Sequence, residues 1–181
     1  MPRANKSRYV ILGLLSHEPL SGYNIKKRIE TGVSYFYGIS YGQIYPELAR
    51  LEKQGFVVEE AQPDKNSRNR KIYAITEKGK KELQKWLAAQ AEEEKVHYDI
   101  LLKLFFGSNI SIAENIRNIT EFRERNIRKL RLLEQYEANL RSVLDLSLDH
   151  KYYLLTVLLG RQVYKAHIAW AEEAIALLGE E

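Results

Sequence analysis

Residues 38–55 read GISYGQIYPELARLEKQG, and the reading of this stretch decides the fold. Wound at about 100° per residue, positions 40–54 place Ile44, Leu48 and Leu51 on one face and Gly42, Pro46, Ala49 and Lys53 on the other. Gln43, Tyr45 and Arg50 flank that second face. The apolar face predicts burial on other helices. The opposite face is small and smooth at its centre and polar at its margins, which suits close approach to another surface. Ser40 and Gln43 have the S-x-x-Q spacing of a capping box, so the spacing predicts a helix from Ser40 to Gln54. Pro46 has no N–H for the carbonyl of Gly42, which predicts a local kink, costing up to about 3 kcal/mol in a helix interior and less near a first turn.

The flanking sequence supplies the rest of a small domain. The apolar run from Tyr9 to Leu15 reads as a buried first helix, because it is short and no small-residue cleavage site follows it as a secretory signal would require. Pro19-Leu20-Ser21-Gly22 marks a turn, Ser21 is placed to cap a second helix, Ile25 and Ile29 fall one turn apart, and Gly32 ends the segment. After the third helix, FVVEE from Phe56 and KIYAIT from Lys71 alternate like strands around the polar loop PDKNSRNR, which predicts a hairpin. Thr76 then caps a fourth helix, TEKGKKELQKWLAAQ, with Leu83 and Leu87 a turn apart and Trp86 beside them. Three helices, a hairpin and a helix are the order of a winged helix-turn-helix, in which the third helix enters a major groove and the hairpin lies along phosphates.

The charge distribution agrees with that order. The net charge of the 181 residues is +4. Residues 1–90 carry 16 Lys and Arg against 9 Asp and Glu, a balance of +7, whereas residues 91–181 carry 12 against 15, a balance of -3. A cationic first half suits a polyanion such as nucleic acid, although basic residues also serve simply to solvate a surface. At the start of the third helix, amides and dipole favour a phosphate or base edge, and Gly42 presents no side chain to obstruct it. Gln43 can pair with an adenine edge, and Tyr45 can give its hydroxyl to phosphate or pack on sugar. Alternatively, Pro46 fixes only the angle between helix and neighbour, and Tyr45 is a partly buried aromatic.

These residues resemble the PadR family of bacterial transcription regulators. SYGQIYPELARLEKQGFV and RKIYAITEKGKKEL are similar to that family's small-x-G-x-[IL]-Y-P-x-L-x-R-L-E-x-x-G followed by [RK]-x-Y-x-[IL]-T-x-x-G, and Gly22-Tyr23 matches its second helix. The likeness covers about residues 7–90. It implies a homodimeric transcription factor, usually a repressor, bound to an inverted-repeat operator in double-stranded DNA. Carried onto this chain, it puts Ser40, Tyr41, Gly42, Gln43, Tyr45 and Pro46 at the DNA, and Lys65, Asn66, Ser67, Arg68, Arg70 and Lys71 in the wing. Tyr41 stands where many relatives have proline.

The second half changes character around AEEEKVHYD. HYDILLKLFFG, from His97, is a short apolar helix closed by Gly107. A long helical region runs from about Ile112 to Leu144, near 50 Å at about 1.5 Å per residue, with Ile112, Ile116, Ile119, Ile127, Leu130, Leu133, Leu140 and Leu144 at helical spacings. Arg123 and Asn126 interrupt this seam, and a partner helix is expected. Asp149 can cap a last helix from about Lys151 to Leu178, in which Leu155, Leu158, Leu159, Val163, Trp170, Ile175 and Leu178 are available for packing. The layout resembles the Vir-type C-terminal domain of the larger family members, whose helices make the dimer. The expectation is therefore a mainly α protein with a small β-hairpin: a winged helix-turn-helix DNA-binding domain over residues 1–92 and a helical dimerisation domain over 93–181.

Other chemistry finds little support. There are no cysteines, and the four histidines form no H-E-x-x-H or cysteine-histidine cluster, so no metal or other cofactor is expected. His167 near Glu172 is better explained as a polar residue on a packed helix than as an acid-base pair, and no glycine-rich phosphate loop is present, so an enzyme is not expected. Tyr164, His167 and Trp170 recur at helical spacing, either lining an effector pocket between subunits or packing as aromatics in a dimer core. With no apolar stretch near the roughly 20 residues that cross a bilayer, the expected compartment is the cytoplasm. The competing function class is a winged helix that binds a protein, with the helical half as scaffold.

Overall fold

The computed structural model describes residues 6–60, 71–93 and 96–180. The chain divides into two compact units, Met1–Glu93 and Glu94–Glu181. Among the described residues no helix is long and apolar enough to cross a membrane.

In the first unit the order is α1 (Ser7–Leu15), β1 (Leu20–Ser21), α2 (Gly22–Thr31), α3 (Ile44–Lys53), β2 (Val57–Glu60), β3 (Ile72–Ile75) and α4 (Glu77–Ala88), with short 3-10 turns at Val33–Tyr35 and Tyr41–Gln43. Ile11, Leu12 and Leu15 of α1, Ile25 and Ile29 of α2, and Ile44, Leu48 and Leu51 of α3 meet in one core, closed by Val57, Tyr73 and Leu83. Each helix contributes residues a turn apart, so burying this stripe removes the apolar side of all three helices from water together. The Trp86 ring of α4 stacks on Tyr9 of α1 with centroids 4.5 Å apart and planes at 6°.

The caps follow the sequence. The Ser21 hydroxyl accepts the Asn24 N–H at the start of α2, and the Thr76 hydroxyl accepts the Gly79 N–H at the start of α4, each satisfying an orphan amide. The expected two-stranded hairpin has a third member. Leu20 and Ser21 pair antiparallel with Tyr73 and Ile72, giving the order β1-β3-β2. Two residues are too few to show alternation, which is why the sequence reads them as a turn alone.

The end of α3 is tied to the sheet. Gly55 has φ of 72°, the left-handed conformation that a non-glycine residue adopts only with strain. Thr76 Oγ1 donates to the Gly55 carbonyl at 2.8 Å. At Gly79 a Cβ would stand 2.1 Å from the Phe56 carbonyl oxygen, so only glycine permits this approach.

The second unit is α5 (Asp99–Phe105), a 3-10 turn at Gly107–Asn109, α6 (Ile112–Arg141), a 3-10 turn at Leu144–Leu146 and α7 (Leu148–Gly179). Ser111 and Glu114 form a full capping box at the start of α6. The bond from the Ser111 hydroxyl to Glu114, followed by that from the Ser111 backbone, holds the Glu114 carboxyl below its usual range. The cap of α7 is Ser147, whose hydroxyl accepts the Asp149 N–H at 3.2 Å; Asp149, expected as the cap, is the second residue of the first turn, where its charge faces the positive end of the helix dipole. The α6 and α7 helices run antiparallel, with Glu137 meeting Arg161 and Asn126 meeting His167 across the pair.

Ile100, Ile119 and Ala171 form the buried centre of this unit, with Phe122, Trp170, Ile175 and Leu178 against it. Of the apolar positions available on α7, Leu155, Leu159 and Val163 remain exposed. Glu137 is buried in the helix pair and held by Arg141 at 2.8 Å and Arg161 at 2.6 Å. The hydrogen bond from Arg141 is the main reason its carboxyl stays charged below the usual carboxylate range.

Candidate nucleic-acid interface

The start of the third helix departs from the expected continuous Ser40–Gln54 segment. Tyr41–Gln43 form one 3-10 turn, with the Gln43 N–H donating to the Ser40 carbonyl at 3.0 Å, and the α-helix begins at Ile44 with Gln43 as its N-cap. Ser40 makes no side-chain capping bond, so the expected capping box is absent. The physical reason is Pro46. Counted from Gln43, proline is the third helical residue, where its missing N–H is one of the orphan amides and costs the helix nothing. It cannot bond the Gly42 carbonyl, so α-helical winding does not extend back across Gly42.

The division of faces holds. Ile44, Leu48 and Leu51 are fully buried, while Tyr41, Gly42, Gln43, Tyr45, Pro46, Ala49 and Arg50 are exposed together with Ser40. At 61% exposure, Tyr45 is a surface side chain and not a partly buried aromatic. Its ring lies over Gly22 of α2, where a Cβ would be 2.5 Å from Cε1. Lys26, one turn further along α2, holds its ammonium 5.4 Å from the centroid of the Tyr41 ring.

Arg50 is less free than the helical wheel suggests. Its Nη1 lies 2.8 Å from Oε2 of Glu47, which is buried on the inner side of α3. Sequence reading passed over Glu47, although its i,i+3 spacing to Arg50 was the available signal.

Of the wing positions, Lys65, Asn66, Ser67, Arg68 and Arg70 lie outside the described residues. Lys71 immediately precedes β3 and is exposed, with Nζ 2.6 Å from Oε2 of Glu59 on β2. The hydrogen bond to Glu59, followed by that carboxylate's charge, raises the Lys71 pKa, so this cation is firmly charged and partly neutralised locally.

The second unit contains a cavity of about 290 Å³ among α5, α6 and α7, lined by Tyr98, Phe122, Arg125, Lys129, Tyr164 and His167 among others. His167 Nδ1 lies 3.0 Å from Asn126 Oδ1, and Nε2 lies 3.0 Å from the Tyr98 hydroxyl. The Asn126 amide already donates to the Phe122 carbonyl at 2.8 Å, which fixes its oxygen as the acceptor and leaves His167 with its proton on Nδ1. Burial, with a smaller contribution from the Lys129 charge, lowers the His167 pKa and keeps the ring neutral. Burial likewise raises the Tyr164 phenol.

Trp170, expected beside Tyr164 and His167, does not line the cavity and instead meets Phe122 edge-on at 5.6 Å in the small core. Two steps of three residues at about 100° each leave it about 120° away from Tyr164 around the helix. Asn126, read only as an interruption of the apolar seam, is the residue that orients His167. Tyr98 and Lys129 were not anticipated either, because their partners lie on other helices.

A winged helix-turn-helix with an exposed face on its third helix, followed by a unit of long paired helices, defines a class of transcriptional regulators, and comparison with known proteins places the chain within it. Residues 11–85 match the Transcriptional regulator PadR-like family and residues 96–179 the Virulence activator alpha C-term family. The Negative transcriptional regulator PadR of Bacillus subtilis (strain 168) is 32% identical over 180 residues, covering 96% of this chain and 98% of that protein. The crystal structure of Bacillus subtilis PadR in complex with operator DNA is similar at a TM-score of 0.82 and 31% identity, covering 94% of this chain and 98% of that one. Bacillus subtilis PadR in complex with p-coumaric acid is similar at a TM-score of 0.75 and 29% identity, over 95% of this chain and 98% of that chain. The chain belongs to the PadR family. It is a transcriptional regulator of PadR type.

Proposed function

We propose that the chain is a sequence-specific repressor that acts in the cytoplasm as a homodimer on an inverted-repeat operator. The observation that carries this reading is the exposed start of the third helix, where Tyr41, Gly42, Gln43, Tyr45 and Pro46 stand outward over the buried Ile44, Leu48 and Leu51. The operator complex of the Bacillus subtilis relative supports it. Residues 1–92 hold the DNA and residues 93–181 make the dimer. Gln43 reads a base edge, Ser40, Tyr41 and Tyr45 meet sugar and phosphate, Gly42 and Pro46 allow close approach, and Arg50 lies at the margin. Lys65, Asn66, Ser67, Arg68, Arg70 and Lys71 hold the flanking backbone. In the dimer two third helices enter successive major grooves about 34 Å apart.

The dimer is supported by apolar side chains that one chain leaves in water. Leu148, Tyr152, Leu155 and Leu159 are exposed along the start of α7, as is Leu146 just before it, and Leu101, Leu102 and Phe105 are exposed on α5. Leu148, Tyr152, Leu155 and Leu159 follow helical spacing and share one face of α7, and an exposed apolar face of this kind marks an interface.

The cavity lined by Tyr98, Phe122, Lys129, Tyr164 and His167 is the proposed effector site, with Trp170 supporting Phe122 from behind. Aromatic walls and the Lys129 and Arg125 cations suit a small aromatic anion, as the p-coumaric acid complex of the relative supports. Such a ligand changes DNA occupancy only if the competent and incompetent states bind it with different affinity.

Fluorescence anisotropy with duplexes tiling the region upstream of the chain's own coding sequence, against random duplex and across a salt series, tests the reading. Competitor-resistant binding with a slope near -0.9 per phosphate neutralised is the expected result. Weak binding that every duplex competes equally, with a shallow slope, overturns it in favour of a protein-binding winged helix.

A further inference from the structure

We infer that Lys26 is a positioning residue for DNA readout, holding the Tyr41–Gln43 turn through the face of Tyr41. The inference rests on the DNA-binding reading of the third helix and assigns a role to a residue on a different helix.

The turn from Tyr41 to Gln43 is held by two 3-10 bonds, from the Gln43 N–H to the Ser40 carbonyl and from the Ile44 N–H to the Tyr41 carbonyl, whose geometry is poorer than that of α-helical bonds. It is a single 3-10 turn outside α3, it lacks a side-chain cap from Ser40, and Pro46 removes the α-helical bond that would join Gly42 to the next turn. An added Cβ at Gly42 would have only the Ser40 hydroxyl within 4 Å, at 3.9 Å, so packing does not confine the turn there. Yet this turn carries Gln43. A side chain that reads a base edge must be held close to its productive geometry before contact, or the ordering cost is subtracted from affinity.

What lies against the turn is Lys26. Its ammonium stands 5.4 Å from the Tyr41 ring centroid, and its other partner is Glu30, one turn along α2 at 3.6 Å. Glu30 restrains the lysine on α2, and the lysine restrains the ring. The α2 helix is in turn fixed by Ile25 and Ile29, both fully buried. The chain of contact therefore runs from the core, through α2 and Lys26, to the exposed turn.

The local backbone offers an independent test. Ser40 is extended, with φ of -76° and ψ of 117°, and Tyr41 is the first residue of the turn. An extended residue followed by the first position of a helical turn is the setting in which proline is tolerated, because its fixed φ matches and no N–H is needed. Tyr41→Pro therefore fixes the turn through its own ring and makes Lys26 dispensable.

The experiment is a double-mutant cycle on the full chain. Wild-type protein selects a duplex of about 30 base pairs from a random pool, and affinities for that duplex and for unselected random duplex are measured for Lys26→Met, Tyr41→Pro and the double variant. Lys26→Met is expected to lower the preference for selected over random duplex about two- to five-fold, the range of an exposed cation–π contact, and to lose this effect in the Tyr41→Pro background. Tyr41→Leu provides a second background in which the Lys26 effect is expected to vanish.

A lysine that merely touches phosphate gives a different outcome. Affinity for both duplexes then falls alike, the salt slope drops by about one, and the loss persists in every background, which overturns the inference. The contact is also read without DNA, as an upfield NMR displacement of the Lys26 ε-methylene protons that Tyr41→Leu removes. Absence of that displacement overturns the inference while leaving the DNA-binding reading intact. Failure of the wild-type protein to select any duplex overturns both.

Discussion

A methyl group on Gly22 would stand 2.5 Å from Cε1 of Tyr45, so the tyrosine ring occupies the space that any other residue at position 22 would fill. Because the ring is largely exposed and can rotate about two bonds, Gly22→Ala is expected to displace Tyr45 without unfolding the domain. Alanine at the start of α2 also improves helix propensity by up to about 1 kcal/mol. Thermal stability should therefore stay level or rise slightly, while DNA affinity falls about five-fold for the loss of one net hydrogen bond of about 1 kcal/mol. Calorimetry beside anisotropy checks this, and equal loss of both would place Tyr45 in the fold and not at the DNA.

Gln43→Ala is expected to relax preference at one base pair, at a cost of about 1–3 kcal/mol on the preferred duplex and little on others. Arg68→Ala should weaken all duplexes alike and reduce the salt slope by about one. Competition binding with every single-base variant of the selected duplex separates the two. An unchanged base profile for Gln43→Ala would remove the third helix from the groove.

Leu159 is 69% exposed on α7. Placing a charge in an apolar interface carries a desolvation cost of several kcal/mol, so Leu159→Glu should convert a dimer to monomer at micromolar concentration. Sedimentation velocity reads the change, and operator affinity should fall with it because two half-sites are no longer joined. A variant that remains dimeric would move the interface away from this face.

Asn126 donates to the Phe122 carbonyl and accepts from His167. Asn126→Ala leaves the His167 N–H without its partner in a part-buried setting, which should cost about 1 kcal/mol in urea unfolding. Asn126→Leu, which removes the same bond but fills the space, should cost less than Asn126→Ala.

Burial lowers the folded-state pKa of His167 below the ordinary 6.5. The unfolded chain therefore takes up a proton first as pH falls. Stability is unaffected by this group above about pH 6.5, declines as pH falls from there toward the lowered folded value, and levels off below it. His167→Gln should remove that part of the slope, which thermal unfolding between pH 5 and pH 8 would detect. The groups facing the ring are Asn126, Phe122 and Lys129 of α6, Tyr98 beside α5 and Tyr164 on its own helix. Of these, only Lys129 carries a charge, and that charge opposes protonation.

Features set by neighbours in sequence were legible, and features set by distant neighbours were not. Ser21 and Thr76 cap the helices that follow them because a cap is decided within three residues. The inner face of the third helix was likewise readable from Ile44, Leu48 and Leu51 alone. The turn at Tyr41–Gln43 was missed because it depends on where helix counting starts, and Pro46 shifts that start from Ser40 to Gln43. Ser147 was passed over for Asp149 because both residue types cap helices, and only backbone conformation decides between them. The cavity was half legible. Tyr164 and His167 share a face, but their partners Tyr98, Asn126 and Lys129 come from 35 to 69 positions away or from another helix.

The bonds between Thr76, Gly55 and Phe56, with Gly79 pressed against the same carbonyl, bind the end of the third helix to the root of the β2–β3 hairpin. Mutational freedom is therefore divided sharply within a few ångströms. On the proposed function, a substitution at Gln43 changes the target while the frame that presents the third helix stays fixed. Positions 55, 76 and 79 are less free, since a larger residue at either glycine or the loss of the threonine hydroxyl would strain or release the end of the third helix from the sheet. Retargeting is thus cheap in substitutions, and rebuilding the frame is not.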